Sequence, residues 1–195
     1  MIEVSRYALV AAHISKSKEH DISNAHDWLS LPAGIAAKEI SGKPLVAHVH
    51  ATEFDRSGES VNQVVYDIER SGMHAADHIV AVSQLTKNII INKYGVAASK
   101  ITVLHNAVLD ASIIKSSYQK KVPEKIVTFL GRITFQKGPE YFVEAAKKVI
   151  DRDPNVRFVM AGNGDLLNRM IDRVAELRMG TKFHFTGFLK GDDVD

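Results

Sequence analysis

Along the chain, short apolar runs alternate with longer stretches in which apolar positions recur every three or four residues. The short runs read as strands and the longer stretches as amphipathic helices, an alternation that predicts βαβ units around parallel sheets. Residues 2–14 read as a helix with Val4, Ala8, Ala11 and Ala12 on one side. A strand is expected at 21–26, a helix at 29–40 and a strand at Pro44–His48. A polar stretch, 50–60, leads into a helix over 61–75, followed by a strand at His78–Val82, a helix at Leu85–Tyr94 closed by Gly95, and a strand at Ile101–Leu104.

Residues 110–124 break this rhythm with Ser, Lys, Gln and Pro123, and read as a linker. A second series follows. Ile126–Leu130 is an apolar run, the pattern of a strand covered on both faces. A helix is expected at 139–151, with Pro139 in its first turn and Tyr141, Phe142, Ala145, Ala146, Val149 and Ile150 on one side. Val156–Ala161 reads as a strand, 165–178 as a helix aligning Leu166, Met170, Ile171, Val174 and Leu177, and Lys182–Phe185 as a third strand. Four strands and then three fall short of the five or six of a doubly wound domain. The expectation is two incomplete parallel-sheet units, 1–109 and 125–195, joined by the linker.

Composition narrows the class. The 195 residues are 45% hydrophobic and 25% charged, with no cysteine and a net charge of +2. Such a balance excludes a disordered chain, a collagen-like repeat and a disulfide scaffold, and the missing thiols exclude cysteine chemistry and Cys-based zinc sites. No apolar run reaches the ~20 residues of a membrane span and no signal peptide opens the chain, so a cytoplasmic protein is expected. Residues 1–115 hold 11 Lys/Arg against 12 Asp/Glu, and residues 116–195 hold 14 against 11. That spread lacks the concentrated basic stripe of a nucleic-acid binder. Eight of the nine histidines fall in the first 115 residues.

The strongest local signal is the loop Gly131-Arg132-Ile133-Thr134-Phe135-Gln136-Lys137-Gly138, set between a strand and a helix. Ligands of open α/β sheets bind beyond the carboxyl ends of the strands, where this loop falls. Arg132 offers a planar fork, Lys137 a mobile point charge, and the following helix start offers backbone N–H donors, a set suited to a diphosphate. The competing reading is a solvated basic turn. The loop lacks the Gly-Lys-Ser/Thr ending of a Walker A motif. Gly162-Asn163-Gly164 starts like a dinucleotide fingerprint but has Leu167 in the third glycine position, which argues against a nicotinamide-dependent oxidoreductase.

Two histidine clusters mark the first half, His26-Asp27-Trp28 and His48-Val49-His50, each at a strand end. His48 and His50 share a side if the strand runs through both, and such a pair can ligate a metal. That would make a metal-dependent hydrolase of the amidohydrolase kind, but further ligands have no evident source and a (β/α)8 barrel needs about 250 residues. The competing reading is one structural histidine and one polar group facing a cleft.

Five collinear stretches together resemble family 4 glycosyltransferases, which have the two-domain GT-B architecture and are related to bacterial glycogen and starch synthases. They are DISNAHDW at 21–28, KPLVAHVHATEFDRSGE at 43–59, residues 76–108, VTFLGRITFQKGPEYFVEAAKKV at 127–149 and RFVMAGNGD at 157–165. The resemblance covers residues 20–195. It implies a GT-B fold with an acceptor-side first unit and a nucleotide-sugar donor unit, and sugar transfer with retained anomeric configuration. No metal or cofactor is required; the substrate is a nucleotide diphosphate sugar such as UDP- or ADP-glucose. The partners are that donor and a carbohydrate or small-molecule acceptor. The family's diphosphate-binding and leaving-group roles fall on Arg132 and Lys137, and its sugar-contacting histidine on His50, giving three catalytic candidates. Gly131, Gly162, Gly164, Gly187 and Phe188 join the donor site, while His26, Asp27 and His48 line the sugar or acceptor cleft.

Departures accompany the matches. His105-Asn106-Ala107 stands where the family has Pro-Asn-Gly, and the family's N-terminal glycine loop and its Glu-x7-Glu pair have no counterpart in 1–195. The expectation is therefore a fragment with little activity alone, whose exposed sheet edges favour self-association. A non-catalytic nucleotide-binding module and a GT-B nucleotide-sugar epimerase are the alternatives, with the His48/His50 hydrolase more remote.

Overall fold

A computed structural model describes residues 2–107 and 122–191. The chain forms two compact units, Met1–Leu109 and Asp110–Asp195. Most of the segment read as a linker, 110–121, lies outside the described residues.

In the first unit the elements run α1 (Ile2–Ser17), β1 (Ser23–His26), α2 (Asp27–Ser41), β2 (Leu45–Val49), α3 (Glu53–Ser57), α4 (Gln63–Ala75), β3 (His78–Ala81), α5 (Gln84–Tyr94) and β4 (Ile101–Val103). All four strands are parallel, in the order β1-β2-β3-β4. Alternation decides what each face meets: Leu45, Ala47 and Val49 are buried, whereas Val46 and His48 on the other side are half-buried. The buried side joins Ala25, Leu31, Ile79, Ala81, Ile90 and Tyr94 in one core. Gly34 of α2 sits where a Cβ would lie 2.7 Å from Leu45 Cδ1 and 2.9 Å from Ala25 Cβ, so α2 covers that face at close range. Gly72 of α4 likewise leaves room for Leu31, where a Cβ would come within 2.6 Å. Ser83 Oγ accepts from Thr86 N at 3.0 Å to start α5, and Gly95, with φ of 71°, closes it.

The second unit runs β5 (Lys125–Leu130), α6 (Pro139–Ile150), β6 (Val156–Ala161), α7 (Leu167–Glu176) and β7 (Phe183–Gly187). Its three strands are parallel in the order β5-β6-β7. Val143, Ala146, Phe158, Met160, Met170 and Val174 form its core.

The polar stretch 50–60 contains α3, where Asp55 Oδ2 accepts from Thr52 N at 2.7 Å and from Thr52 Oγ1 at 2.8 Å. Two expectations are corrected. On α6, the buried row is Pro139, Val143 and Ala146; the i+4 row Tyr141, Ala145 and Val149 faces outward, with Tyr141 82% exposed. The second concerns β5, which is not covered on both faces: Ile126, Val127 and Leu130 are exposed, and among the described residues β5 is the outer strand of its sheet, with a neighbour on one side alone to pack against.

Candidate functional site

Two groups of side chains stand at the carboxyl ends of parallel strands, one in each unit. In the first unit, the pairing of β1 with β2 sets His26 opposite His48 and Ala25 opposite Ala47. Residues in register share a face, so the alanines go to the core and the histidines to the other side. His50, two residues past His48, joins them. Ring centroids lie 4.8 Å apart for His26 and His48, 5.3 Å for His26 and His50, and 4.3 Å for His48 and His50. His26 Nδ1 is 3.0 Å from His50 Nε2, and His26 Nε2 is 3.2 Å from the Asn24 amide nitrogen. Since that amide nitrogen only donates, His26 Nε2 accepts and its Nδ1–H donates to His50. His48 Nε2 is buried and has no hydrogen-bond partner among the described residues. Burial holds the His48 imidazole below its ordinary pKa, and its two histidine neighbours lower it further, against an opposing pull from Asp27.

Asp27 opens α2 with φ of 55°, an uncommon conformation for a non-glycine residue. Its Oδ1 accepts from His50 N at 2.7 Å and Ala51 N at 3.3 Å, so the carboxylate clamps the chain leaving β2. Behind that chain is a network that nothing in the spacing marked. Buried Glu69 of α4 accepts from the Arg56 guanidinium, from the Tyr94 hydroxyl and, at 3.0 Å, from Glu53 N. Arg56 Nη1 also donates to Ala51 O at 3.1 Å, which ties the segment bearing His50 to the α4 helix. Burial pushes the Glu69 carboxyl up, against these hydrogen bonds, and pushes the Tyr94 phenol up as well. Glu53 behaves oppositely: burial raises it, but hydrogen bonds from Asn62 N, Ser57 and Arg56 outweigh that and hold it below its ordinary value.

In the second unit, a cavity of 580 Å³ opens beyond the ends of β5, β6 and β7. Gly131, Arg132, Gly162, Gly164 and Phe188 are among its lining residues, so five of the expected donor-site residues come together. Gly187 enters through its carbonyl, which accepts from Gly162 N at 2.8 Å. Lys137, on a 3-10 turn at Phe135–Lys137, is not among the lining residues. Arg132 and Lys137 are both exposed. Thr134 Oγ1 in the same loop is buried without a partner among the described residues.

The glycines have a packing reason of their own. A Cβ on Gly162 would meet Gly131 O at 1.9 Å, and one on Gly164 would meet Ile133 O at 2.3 Å. Gly131 N and Ile133 N donate to Ala161 O at 3.0 Å and Asn163 O at 2.9 Å, lacing the two loops together. The amides of Gly131 and Gly162 are thus engaged within the protein, which leaves the cationic side chains as the conspicuous anion ligands. Gly138, with φ of 62°, precedes Pro139, whose missing N–H costs nothing at a helix start.

Two open parallel sheets, each with polar groups at its strand ends, define a GT-B type α/β protein. Comparison with solved structures gives the same fold: HepE of Anabaena, in complex with UDP and glucose, matches with a TM-score of 0.70 at 18% identity, over 95% of this chain and 51% of that one. Sucrose-phosphate synthase of Thermosynechococcus elongatus matches with a TM-score of 0.73 at 14% identity, over 96% of this chain and 50% of that one.

The chain belongs to Glycosyltransferase Family 4, whose model matches residues 4–110; the model for Glycosyl transferases group 1 matches residues 110–195. Among curated relatives, an uncharacterized glycosyltransferase of Methanocaldococcus jannaschii is 28% identical, over 89% of this chain and 48% of its own length. Glycogen synthase of Mycobacterium tuberculosis is 25% identical over 89% of this chain and 43% of its length. The chain therefore spans about half the length of the curated relatives it matches. No helix among the described residues is long and apolar enough to cross a membrane.

Proposed function

We propose that this protein transfers a sugar from a nucleotide diphosphate sugar to a carbohydrate or small-molecule acceptor, with retention at the anomeric carbon and in the manner of glycogen synthases. The observation that carries the reading is the cavity at the ends of β5–β7, bordered by exposed Arg132 and followed along its loop by Lys137. Negative charge builds on the departing diphosphate as the glycosidic bond breaks, and fixed cations stabilise it. Arg132 supplies two parallel donors to phosphate oxygens and Lys137 a mobile charge. The second unit then holds the donor, with Phe188 as an apolar wall. The first unit serves the acceptor side, with His50 as the sugar-contacting histidine and His26, Asp27 and His48 on the sugar or acceptor side. UDP, UDP-glucose and glucose are the ligands named for the HepE structures, which favours a uridine donor here. Against the hydrolase alternative stands the open sheet that carries the histidines, four-stranded among the described residues.

Calorimetric titration of residues 1–195 with UDP, ADP, GDP and NAD tests this. A nucleoside diphosphate should bind, and Arg132→Ala should weaken it by about 1.5–3 kcal/mol, the worth of a charge-assisted hydrogen bond. Binding of NAD alone would remove the reading. Because the chain spans half of its relatives' length, turnover by 1–195 alone is expected to be slight; binding without turnover in a protein of the relatives' full length would favour the nucleotide-binding module, and inversion at a sugar carbon the epimerase.

A further inference from the structure

We propose that His26, His48 and His50 form a binding site for a late first-row divalent cation of the Zn2+ class, separate from the diphosphate cradle. One ring nitrogen from each of the three lies within 4.8 Å of the others. A tetrahedral ion with metal–nitrogen distances of about 2.0–2.1 Å holds its ligand atoms about 3.3 Å apart. The His26 Nδ1 to His50 Nε2 separation of 3.0 Å is already near that value, and side-chain rotation brings in the third nitrogen. His48 Nε2 is the atom that most favours a cation: it is buried and meets no hydrogen-bond partner among the described residues, so the tautomer protonated at Nδ1 offers its lone pair to an ion. A metal ion satisfies such an atom where no protein group does.

The surroundings fit ligation as well as the nitrogens do. His26 and His48 are fixed by strand register, and the Asp27 clamp on His50 N, at 2.7 Å, fixes the backbone of the third. To ligate through Nδ1, His26 moves its proton to Nε2, where Asn24 lies 3.2 Å away and can turn its amide to present the oxygen. That contact would orient the ring as the outer partners of metal-bound histidines do. Three neutral imidazoles and no carboxylate select Zn2+, Co2+, Ni2+ or Cu2+ over Mg2+ and Ca2+. Three protein ligands leave a fourth position open to water, and exposed His26 gives a path of entry. The three histidines are those the sugar-transfer reading assigns to the sugar or acceptor side, but the metal site stands on their own geometry and not on that reading, and its test uses no nucleotide.

The experiment titrates Co2+ into purified residues 1–195, following the visible absorption of the bound ion, then displaces it with Zn2+. One ion per chain is expected. His26→Ala, His48→Gln and His50→Gln should each weaken binding by more than ~10-fold, whereas His13→Ala on α1 should leave it unchanged. Far-UV circular dichroism checks that each variant folds. Should His48→Gln fail to fold, the exposed His26 still decides the matter through His26→Ala. No Co2+ signal at millimolar metal, or binding that survives all three substitutions, would overturn the proposal.

Discussion

At the scale of single residues, the site in the first unit is a set of compromises held by neighbours. Asp27 accepts a left-handed backbone and in return ties His50 N and Ala51 N. Strain of this kind, of order 1–3 kcal/mol, persists where surrounding structure over-determines it. His48 carries a second compromise, since burial disfavours its charged form. Its ordinary pKa is 6.5 and its folded value lies lower. Between the two, the unfolded chain binds a proton that the native state refuses, so stability falls as pH falls through that window and is unaffected by this residue above it. Urea unfolding between about pH 8 and pH 5, followed through the single tryptophan, Trp28, should show this slope in the wild type and a shallower one in His48→Gln. Equal slopes in the two proteins would show that His48 titrates alike in both states.

At the scale of elements, backbone approach governs the second unit. Gly162 has φ of 139°, and its missing Cβ position is taken by Gly131 O. Gly162→Ala must push the two loops apart and should cost about 3 kcal/mol, at the upper end for overpacking. Calorimetry would report the loss in the second unit, while Trp28 in the first unit should keep its fluorescence midpoint; a midpoint lowered in step would show that the units unfold together. The strand-helix alternation was readable because each element is short, periodic and bounded by turn residues. Val156–Ala161 has the same limits in both readings, and Gly95 ends α5 as its backbone freedom suggests. Three features were not readable. On α6, Tyr141, Ala145 and Val149 are apolar, yet only the sheet's position decides which of two apolar rows it covers. Glu69 looks like any surface glutamate, and only the fold brings Arg56 and Tyr94 onto it. The resemblance placed His26 and His48 along one cleft, but their direct contact was not readable: His26 is 22 residues from His48, and the β1–β2 register sets the two side by side.

At the scale of the whole molecule, the two sheets bury their faces unequally. β2 and β3, interior to a four-stranded sheet, put Leu45, Ala47, Ile79 and Ala81 at no exposure at all. β5 has the composition of such an interior strand but an outer position, and its Ile126, Val127 and Leu130 remain 46%, 40% and 57% exposed. An outer strand also presents a row of unpaired backbone groups, and natural edges are usually blunted by charge, proline or a bulge. β5 begins at Lys125 and then carries no charged residue through Leu130, and among the described residues its only pairing is the regular parallel ladder to β6. A long apolar edge of that kind is a template for another strand, so residues 1–195 should associate with themselves as concentration rises. Val127→Lys places a charge in the middle of this strand without touching the core of either unit. Sedimentation velocity across a concentration series should show the wild-type mass distribution shifting upward and the variant remaining monomeric. A wild type that stays monomeric throughout would mean that the β5 edge is no template, and an equally associating variant would place the contact elsewhere.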